Sequence, residues 1–436
     1  MKLTRRSIFL FWVPLAATWL MMALEGPFLA AVIARLPEAK FNLAAHGVAF
    51  AFAILIEAPV IMIMSASTAL VEDRPSYLRL RNFSLGLNAA ATALLLIVLI
   101  PAVHRTLMEG VVGLPPEVAR LTYGALWLFL PWPGAIGYRR FLHGLLIRSG
   151  RTRLVAAGTV VRLGSMSATA LALFLLSDLP GAWVGAAALS TGVCTEAIMA
   201  RWMAAAAIRE TMRIPGPDRG RGPTLGYRRI AAFYYPLALT SLIGLTVQPM
   251  LTFFMGQARA PIESLAVFPV VHALSFFFRA LGLSYQEASI ALIGREREHF
   301  PELARFGAGL AALASVGLAA VAFTPFAHVW FQTVSGLSPE LAAFAVTPTR
   351  ILVPLPALSV LLAFQRAIMV QGRRTRPITV ATAVELGVIA LLFPALAWGV
   401  GLVGVTAAFT AFLGGRIASN AYLLRDSSRM AGVWAR

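Results

Sequence analysis

The chain has 436 residues, of which 59% are hydrophobic and only 13% charged, and its mean hydropathy is +0.77. A soluble domain carries about 25% charged residues, so there is too little polar surface here to cover a water-soluble particle, and the bilayer must solvate most of the chain. The formal charge of +18 does not mark a nucleic-acid binder, because the basic residues lie between apolar runs and not in one patch, and the single cysteine, Cys194, excludes an intrachain disulfide.

About 20 apolar residues cross hydrocarbon as a helix. Backbone groups in lipid must satisfy one another, which leaves helices or closed barrels. The apolar runs are far longer than the ~10-residue alternating strands of a barrel, so an all-α membrane protein is predicted. The N-terminus, MKLTRR before an apolar run, imitates a secretory signal. The run from Ser7 to about Ile33 is too long for one, and equally apolar runs follow. It reads as a retained first span.

Twelve spans are predicted, at roughly 8–33, 43–70, 82–103, 119–148, 153–176, 180–208, 229–254, 262–293, 302–330, 339–368, 375–399 and 401–425. Alternate loops and tails hold 24 Lys and Arg residues against five in the other set (Arg35, Lys40, Arg105, Arg120 and Arg259). Basic loops stay on the cytoplasmic side, so both termini are expected there, in a bacterial inner membrane. The stretch 209–228, RETMRIPGPDRGRGPTLGYR, is rich in Pro, Gly and Arg. It reads as a cytoplasmic linker between an N-terminal six-helix lobe, 1–208, and a C-terminal one, 229–436.

An internal repeat supports that division. Val13-Pro14-Leu15-Ala16 and Pro27 in span one recur at an offset of 222 as Tyr235-Pro236-Leu237-Ala238 and Pro249 in span seven. Pro131-x-Pro133 in span four recurs as Pro354-x-Pro356 in span ten, and Val161-Arg162-Leu163-Gly164 as Val384-Glu385-Leu386-Gly387. Six helices per repeat preserve topology, so a pseudo-twofold along the membrane normal is expected between the lobes.

Charges deep in a bilayer are costly and are candidates for function. The acids are Glu25, Glu57, Glu196 and Glu385, with Glu287 nearer one face; the bases are Arg162, Arg279, Arg350 and Arg416. Arg139, Arg140, Arg201 and Arg366 lie closer to the inner face, where snorkelling is open to them. The repeat matches Glu57 with Arg279, Arg162 with Glu385, and Glu196 with Arg416, an acid against a base each time. Two readings follow: ion pairs between lobes that gate a central cavity, or pairs within each lobe that hold helices together. Arg350 has Trp127, not an acid, at its repeat position and precedes Pro354 and Pro356. It suits an anionic substrate group or a cap on freed carbonyls. Glu25, in Glu25-Gly26-Pro27, suits a proton carrier or a hydrogen bond to a neighbouring helix. His143 and His272 lie within spans, but the six histidines show no metal-ligand spacing, and no metal or cofactor is expected. Phosphate-binding Gly-rich loops, nucleophile elbows and HExxH are absent, which speaks against an enzyme and against ATP-driven transport by this chain alone.

The proline pattern and paired lobes resemble the multidrug/oligosaccharidyl-lipid/polysaccharide transporter superfamily, which includes the multidrug-and-toxin extruders. Within it, VPLAATWLMMALEGPFLAA, FYYPLALTSLIGLTVQPMLTFFM, FPVVHA, PTRILVPLPA and GVGLVGVTAAF resemble the progressive ankylosis protein family. That resemblance implies export of small anions such as citrate, pyrophosphate or nucleotides. It places His272 and Arg350 on matching positions, with Glu25 one residue from a family glutamate. The expectation is therefore a monomeric alternating-access exporter, an antiporter coupled to protons or sodium. Candidate substrate-binding residues are Arg350, His272, Arg279 and Arg416; candidate coupling and gating residues are Glu25, Glu57, Arg162, Glu196 and Glu385. Rival readings are a flippase for lipid-linked oligosaccharides, a cation or drug extruder, and a membrane-embedded transferase.

Overall fold

The structure is a computed structural model that describes residues 4–215, 225–293, 299–371 and 376–431. The central part of the expected linker, residues 216–224, lies outside the described residues. Among the described residues no strand occurs, and the helices follow the expected order. They are α1 (Arg5–Ala23) and α2 (Glu25–Ile33); α3 (Ala39–Glu57) and α4 (Ile63–Leu70); α5 (Arg74–Val98) and α6 (Pro101–Arg105); α7 (Pro116–Leu128) and α8 (Trp132–Arg148); α9 (Thr152–Leu176); and α10 (Gly181–Met203) with α11 (Ala205–Arg213). Then come α12 (Tyr227–Leu245) and α13 (Val247–Gly256); α14 (Pro261–Leu292); α15 (Phe300–Phe323) and α16 (Phe326–His328); α17 (Pro339–Ile351) and α18 (Leu355–Gln371); α19 (Arg376–Pro394); and α20 (Gly404–Ala431).

Prolines explain where the passes break. Pro27 and Pro249 cannot donate to the carbonyls four residues back, and the helix is interrupted at Leu24 and again at Thr246, the same offset of 222 that the motifs show. The break at 129–131 between α7 and α8 recurs at 352–354 between α17 and α18, bending the latter pair by 43°. The π-helical turns Thr106–Val112 and Val329–Val334 also start at repeat-equivalent positions. The repeat is therefore written in backbone irregularities as well as in residues. Among the described residues two breaks have no counterpart: α3 and α4 are separated around Pro59, whereas α14 runs unbroken past the equivalent Leu281, and α10 and α11 are separated at Ala204, whereas α20 runs unbroken past Leu424.

Among the described residues, nine helices are long and apolar enough to cross a membrane, ten when the bent pair α17–α18 counts as one. The two remaining expected passes fall short for a local reason. α8 has 17 residues, because the break at 129–131 parts it from α7, and Arg416, Ser419 and Asn420 dilute α20. Leu176 and Leu391, 85% and 77% exposed, stand out from the helices they belong to. An exterior of that kind needs lipid as its solvent, and the protein is a multi-pass membrane protein. The pass expected at 180–208 continues as α11 to Arg213, where Arg151 pairs with Glu210 at 2.6 Å.

The described chain forms two compact units, residues 48–249 and residues 1–47 with 250–436. In the first, α8 packs on α4, α5 and α10, and α10 packs on α9 and α7. Gly144 on α8 allows the approach to α4, since a Cβ there would lie 2.5 Å from the Met64 carbonyl oxygen; Ser67 Oγ donates to the Phe141 carbonyl at 2.8 Å. In the second unit, α14 packs on α1 and α18, α18 on α15 and α20, and α19 on α20. The first pass thus lies against α14: Trp12 Nε1 donates to Ser284 Oγ at 2.8 Å, and Trp19 Nε1 to Glu287 at 3.1 Å.

Candidate functional site: two buried charge clusters

Among the described residues each unit buries a cluster of ionisable side chains. In the unit of residues 48–249, Glu196 on α10 is wholly buried. Arg139 on α8 donates to its carboxylate, Arg162 Nε on α9 lies 3.7 Å away and His143 Nε2 on α8 lies 3.8 Å away. Helix geometry sets this up. Arg139 and His143 are one turn apart on α8 and so share a face. Gly192 sits one turn before Glu196, and a Cβ there would lie 3.1 Å from the Arg162 carbonyl oxygen. Its absence draws α10 onto α9. Glu57, at the end of α3, accepts a hydrogen bond from Trp132 Nε1, and Trp132 in turn packs on Phe50 and Phe129. Arg140 acts electrostatically on Glu57, and its Nε is buried with no hydrogen-bond partner among the described residues.

The other unit repeats the arrangement with its signs exchanged. Glu385 on α19 accepts from Arg416 on α20, through Nε at 3.1 Å and Nη2 at 2.8 Å. Gly415 makes that possible, because a Cβ there would meet the Glu385 carbonyl oxygen at 2.8 Å. The Arg279 guanidinium on α14 lies 4.9 Å from the centre of the Phe412 ring, and that of Arg416 lies 5.6 Å from the same ring. Arg366 on α18 reaches Thr382 Oγ1 at 3.3 Å. Arg279, Arg366, Arg416, Gln286 and Ser359 line a cavity of about 30 Å³. Nε and Nη1 of Arg279 and Nε of Arg366 are buried without hydrogen-bond partners among the described residues.

The expected site residues divide accordingly. Arg162 and Glu196 meet each other within one unit, and Glu385 and Arg416 within the other. Arg279 joins the cavity of Arg416; Glu57 joins the aromatic cluster around Trp132. His272 stacks between Phe268 and Phe276, two turns before Arg279 on the same face of α14. Arg350 does not line the cavity: its exposed side chain donates from Nε to the Ala322 carbonyl at 3.1 Å and lies over Phe323. Glu25 is half-buried and begins α2.

Arg139 and Arg366 correct the expectation of snorkelling. Arg139 is 6% exposed and ion-paired, and Arg366 turns into the cavity. A signal for both was present in the sequence, since Arg139 and His143 share a helical face and Arg366 is the repeat equivalent of His143. Arg201, by contrast, is exposed.

No protein-family model and no curated protein sequence matches the chain. Solved structures do match its fold. An inward-facing multidrug resistance MATE family transporter of the MOP superfamily superposes with a TM-score of 0.73 at 13% identity, covering 95% of each chain. The lipid II flippase MurJ, inward closed, superposes with a TM-score of 0.71 at 11% identity over 95% of this chain and 87% of that one. A MOP superfamily transporter from Pyrococcus furiosus, described as having a binding pocket of reverse polarity that suggests a different function, gives 0.65 at 14% identity over 98% and 96%. The fold is the all-α, two-lobe, twelve-helix fold of the MOP superfamily transporters, as the sequence resemblance implied.

Proposed function

We propose that this chain is a secondary active transporter that moves small organic or phosphate-bearing anions out of a bacterial cell by alternating access, as a monomer and without enzymatic chemistry. The observation that carries the reading is the Arg279, Arg366 and Arg416 cavity, where three guanidinium groups share one acid, Glu385. Buried guanidinium N–H groups without acceptors are costly, and a carboxylate or phosphate oxygen satisfies them with charge-assisted bonds. About 30 Å³ has room for one or two water-sized groups, so the cavity suits an oxygen of the anion and not a whole substrate. The progressive ankylosis resemblance points to the same chemical class. The Pyrococcus furiosus transporter supports it by analogy, as a protein of this fold described with a pocket of reversed polarity.

The glutamates supply the coupling and gating in this reading. Glu57, Glu196 and Glu25 are the groups that would exchange a proton or sodium ion, and the Arg162–Glu196 and Glu385–Arg416 pairs are the contacts that would rearrange. The Lys and Arg bias between passes supports a cytoplasmic position for both termini.

The test is thermal unfolding of the purified protein against citrate, pyrophosphate, ATP and two lipophilic drug cations, followed by counterflow of the stabilising ligand in proteoliposomes. A ligand that binds only the folded state stabilises it by about 1.4 kcal/mol per tenfold excess over its dissociation constant. Stabilisation by an anion, lost in Arg279→Ala and Arg416→Ala, is the expected result. Stabilisation by cations alone overturns the anion reading in favour of a drug extruder. Anion binding without counterflow, but with translocation of a lipid-linked pyrophosphate, moves the reading to a flippase.

A further inference from the structure

Arg279 and Gln286 stand two turns apart on one face of α14, and Ser359 and Arg366 stand two turns apart on one face of α18. Gly282 lets the two helices meet, since a Cβ there would lie 3.0 Å from the Val360 amide nitrogen. Both faces therefore line one cavity, of about 30 Å³, together with Arg416 from α20.

Among the side chains that line this cavity, Gln286 and Ser359 alone can accept a hydrogen bond. Ser359 Oγ is turned to its own helix, donating to the Leu355 carbonyl at 2.8 Å. Gln286 is half-buried, and its amide has no hydrogen-bond partner among the described residues. Its amide atoms are not closed off from the surface, unlike Nε of Arg279 and Nε of Arg366. Arg279, Arg366 and Arg416 outnumber the one acid, Glu385, so the field in the cavity is positive. A free amide dipole turns its oxygen toward positive charge. Gln286 thus presents Oε1 to the cavity, an acceptor among guanidinium donors.

An anion held by the guanidinium groups brings acceptor oxygens only, and leaves Gln286 Oε1 without a donor unless the same molecule carries one. The cavity has room for one or two water-sized groups. An anionic oxygen and a hydroxyl on the neighbouring carbon fill that space and meet both needs.

We propose that Gln286 is a specificity-determining residue that selects anions bearing a hydroxyl beside the charged group, a 2-hydroxycarboxylate being the simplest. The guanidinium groups take the charge, and Gln286 Oε1 accepts from the hydroxyl. This selectivity rests on the cavity being the anion site proposed above, and it narrows the substrates that site takes. A site built to hydrogen-bond a substrate hydroxyl discriminates against the analogue that lacks it.

The test is isothermal titration of the purified full chain in detergent with two matched pairs, malate against succinate and citrate against tricarballylate. The members of each pair differ by one hydroxyl. The hydroxyl-bearing member should bind about fivefold tighter, the effect of one neutral hydrogen bond. Gln286→Leu keeps the volume and removes the acceptor, so it should bring the two members of each pair to equal affinity. Gln286→Met serves the same purpose if Gln286→Leu does not fold. A preference that survives the loss of the amide overturns the proposal. Equal affinity within both pairs in the wild type also overturns it, and leaves the anion site standing. Absence of binding by all four acids overturns both. Arg279→Ala, which should abolish binding of every acid that the wild type takes, reports on the anion site separately.

Discussion

Arg416 holds Glu385 through two of its guanidinium nitrogens, and the two repeat-equivalent positions hold Arg162 and Glu196, a pair with the signs reversed. Both pairs link neighbouring helices in sequence, α9 to α10 and α19 to α20, and both rely on a glycine that lets those helices approach. Reversal of sign with retention of the pair is what compensated substitution produces when an isolated buried charge is not tolerated.

Breaking the second pair should be costly and reversing it should not. Glu385→Gln leaves Arg279, Arg366 and Arg416 without an acid, and loss of one partner of a buried pair costs roughly 3–5 kcal/mol. The doubly reversed Glu385→Arg, Arg416→Glu should recover most of the lost melting temperature in detergent. If the reversal melts no higher than the single variant, the pair does not hold the two helices.

The two acids of the other cluster should differ. Glu57→Gln keeps an amide oxygen for Trp132 Nε1 and should change the melting temperature little. Glu196→Gln withdraws the one carboxylate that Arg139, Arg162 and His143 share, and should lower folded yield and melting temperature sharply. Equal effects from the two substitutions would contradict the geometry.

Two glycines on adjacent helices offer an internal control. Gly415→Ala forces a Cβ to 2.7 Å from Ile389 Cγ1 and should destabilise by about 1–3 kcal/mol through overpacking. Gly387→Ala on α19 meets nothing within 4 Å and should be neutral or stabilising by up to about 1 kcal/mol through helix propensity. Denaturation of the two variants side by side in detergent tests both statements.

His104, at the end of α6 outside the spans, should make stability depend on pH. Burial holds its imidazole below the ordinary value of 6.5, while Nε2 donates to the Ala119 carbonyl at 3.0 Å. The unfolded chain therefore takes up the proton first. The stabilisation is fully present above pH 6.5 and is lost as pH falls from there through the lowered value. Melting temperature should drop between pH 7 and pH 5, and His104→Gln, which keeps a donor to Ala119, should show a smaller drop.

Removing Arg350 should affect folding at its own site more than anion binding. Its contacts are the Ala322 carbonyl and the Phe323 ring. Arg350→Ala should keep most of the anion-induced thermal shift that Arg279→Ala loses. Loss of that shift in Arg350→Ala would bring Arg350 back as a substrate ligand.

The sequence by itself determined the solvent of this protein, the order of its passes and the repeat. These follow from local properties: apolar run length fixes a helix in lipid, and a proline breaks it wherever it falls, so Pro27 and Pro249 announce the breaks at Leu24 and Thr246. The sequence also marked Glu57, Arg162, Glu196, Arg279, Glu385 and Arg416 as buried charges, since each sits in an apolar run. Which charge meets which was decided by the tertiary structure. A periodic helix presents its charges in every direction over a few turns, and only the close approach at Gly192 and Gly415 selects Arg162 for Glu196 and Glu385 for Arg416. The same holds for Arg139 and Arg366, which lie near helix ends that sequence alone allows to reach water, yet turn inward because the packed neighbours offer Glu196 and Thr382. The cavity at Arg279, Arg366 and Arg416 had no signal in sequence, because a cavity is the space that α14, α18 and α20 leave between them, and no single helix contains it.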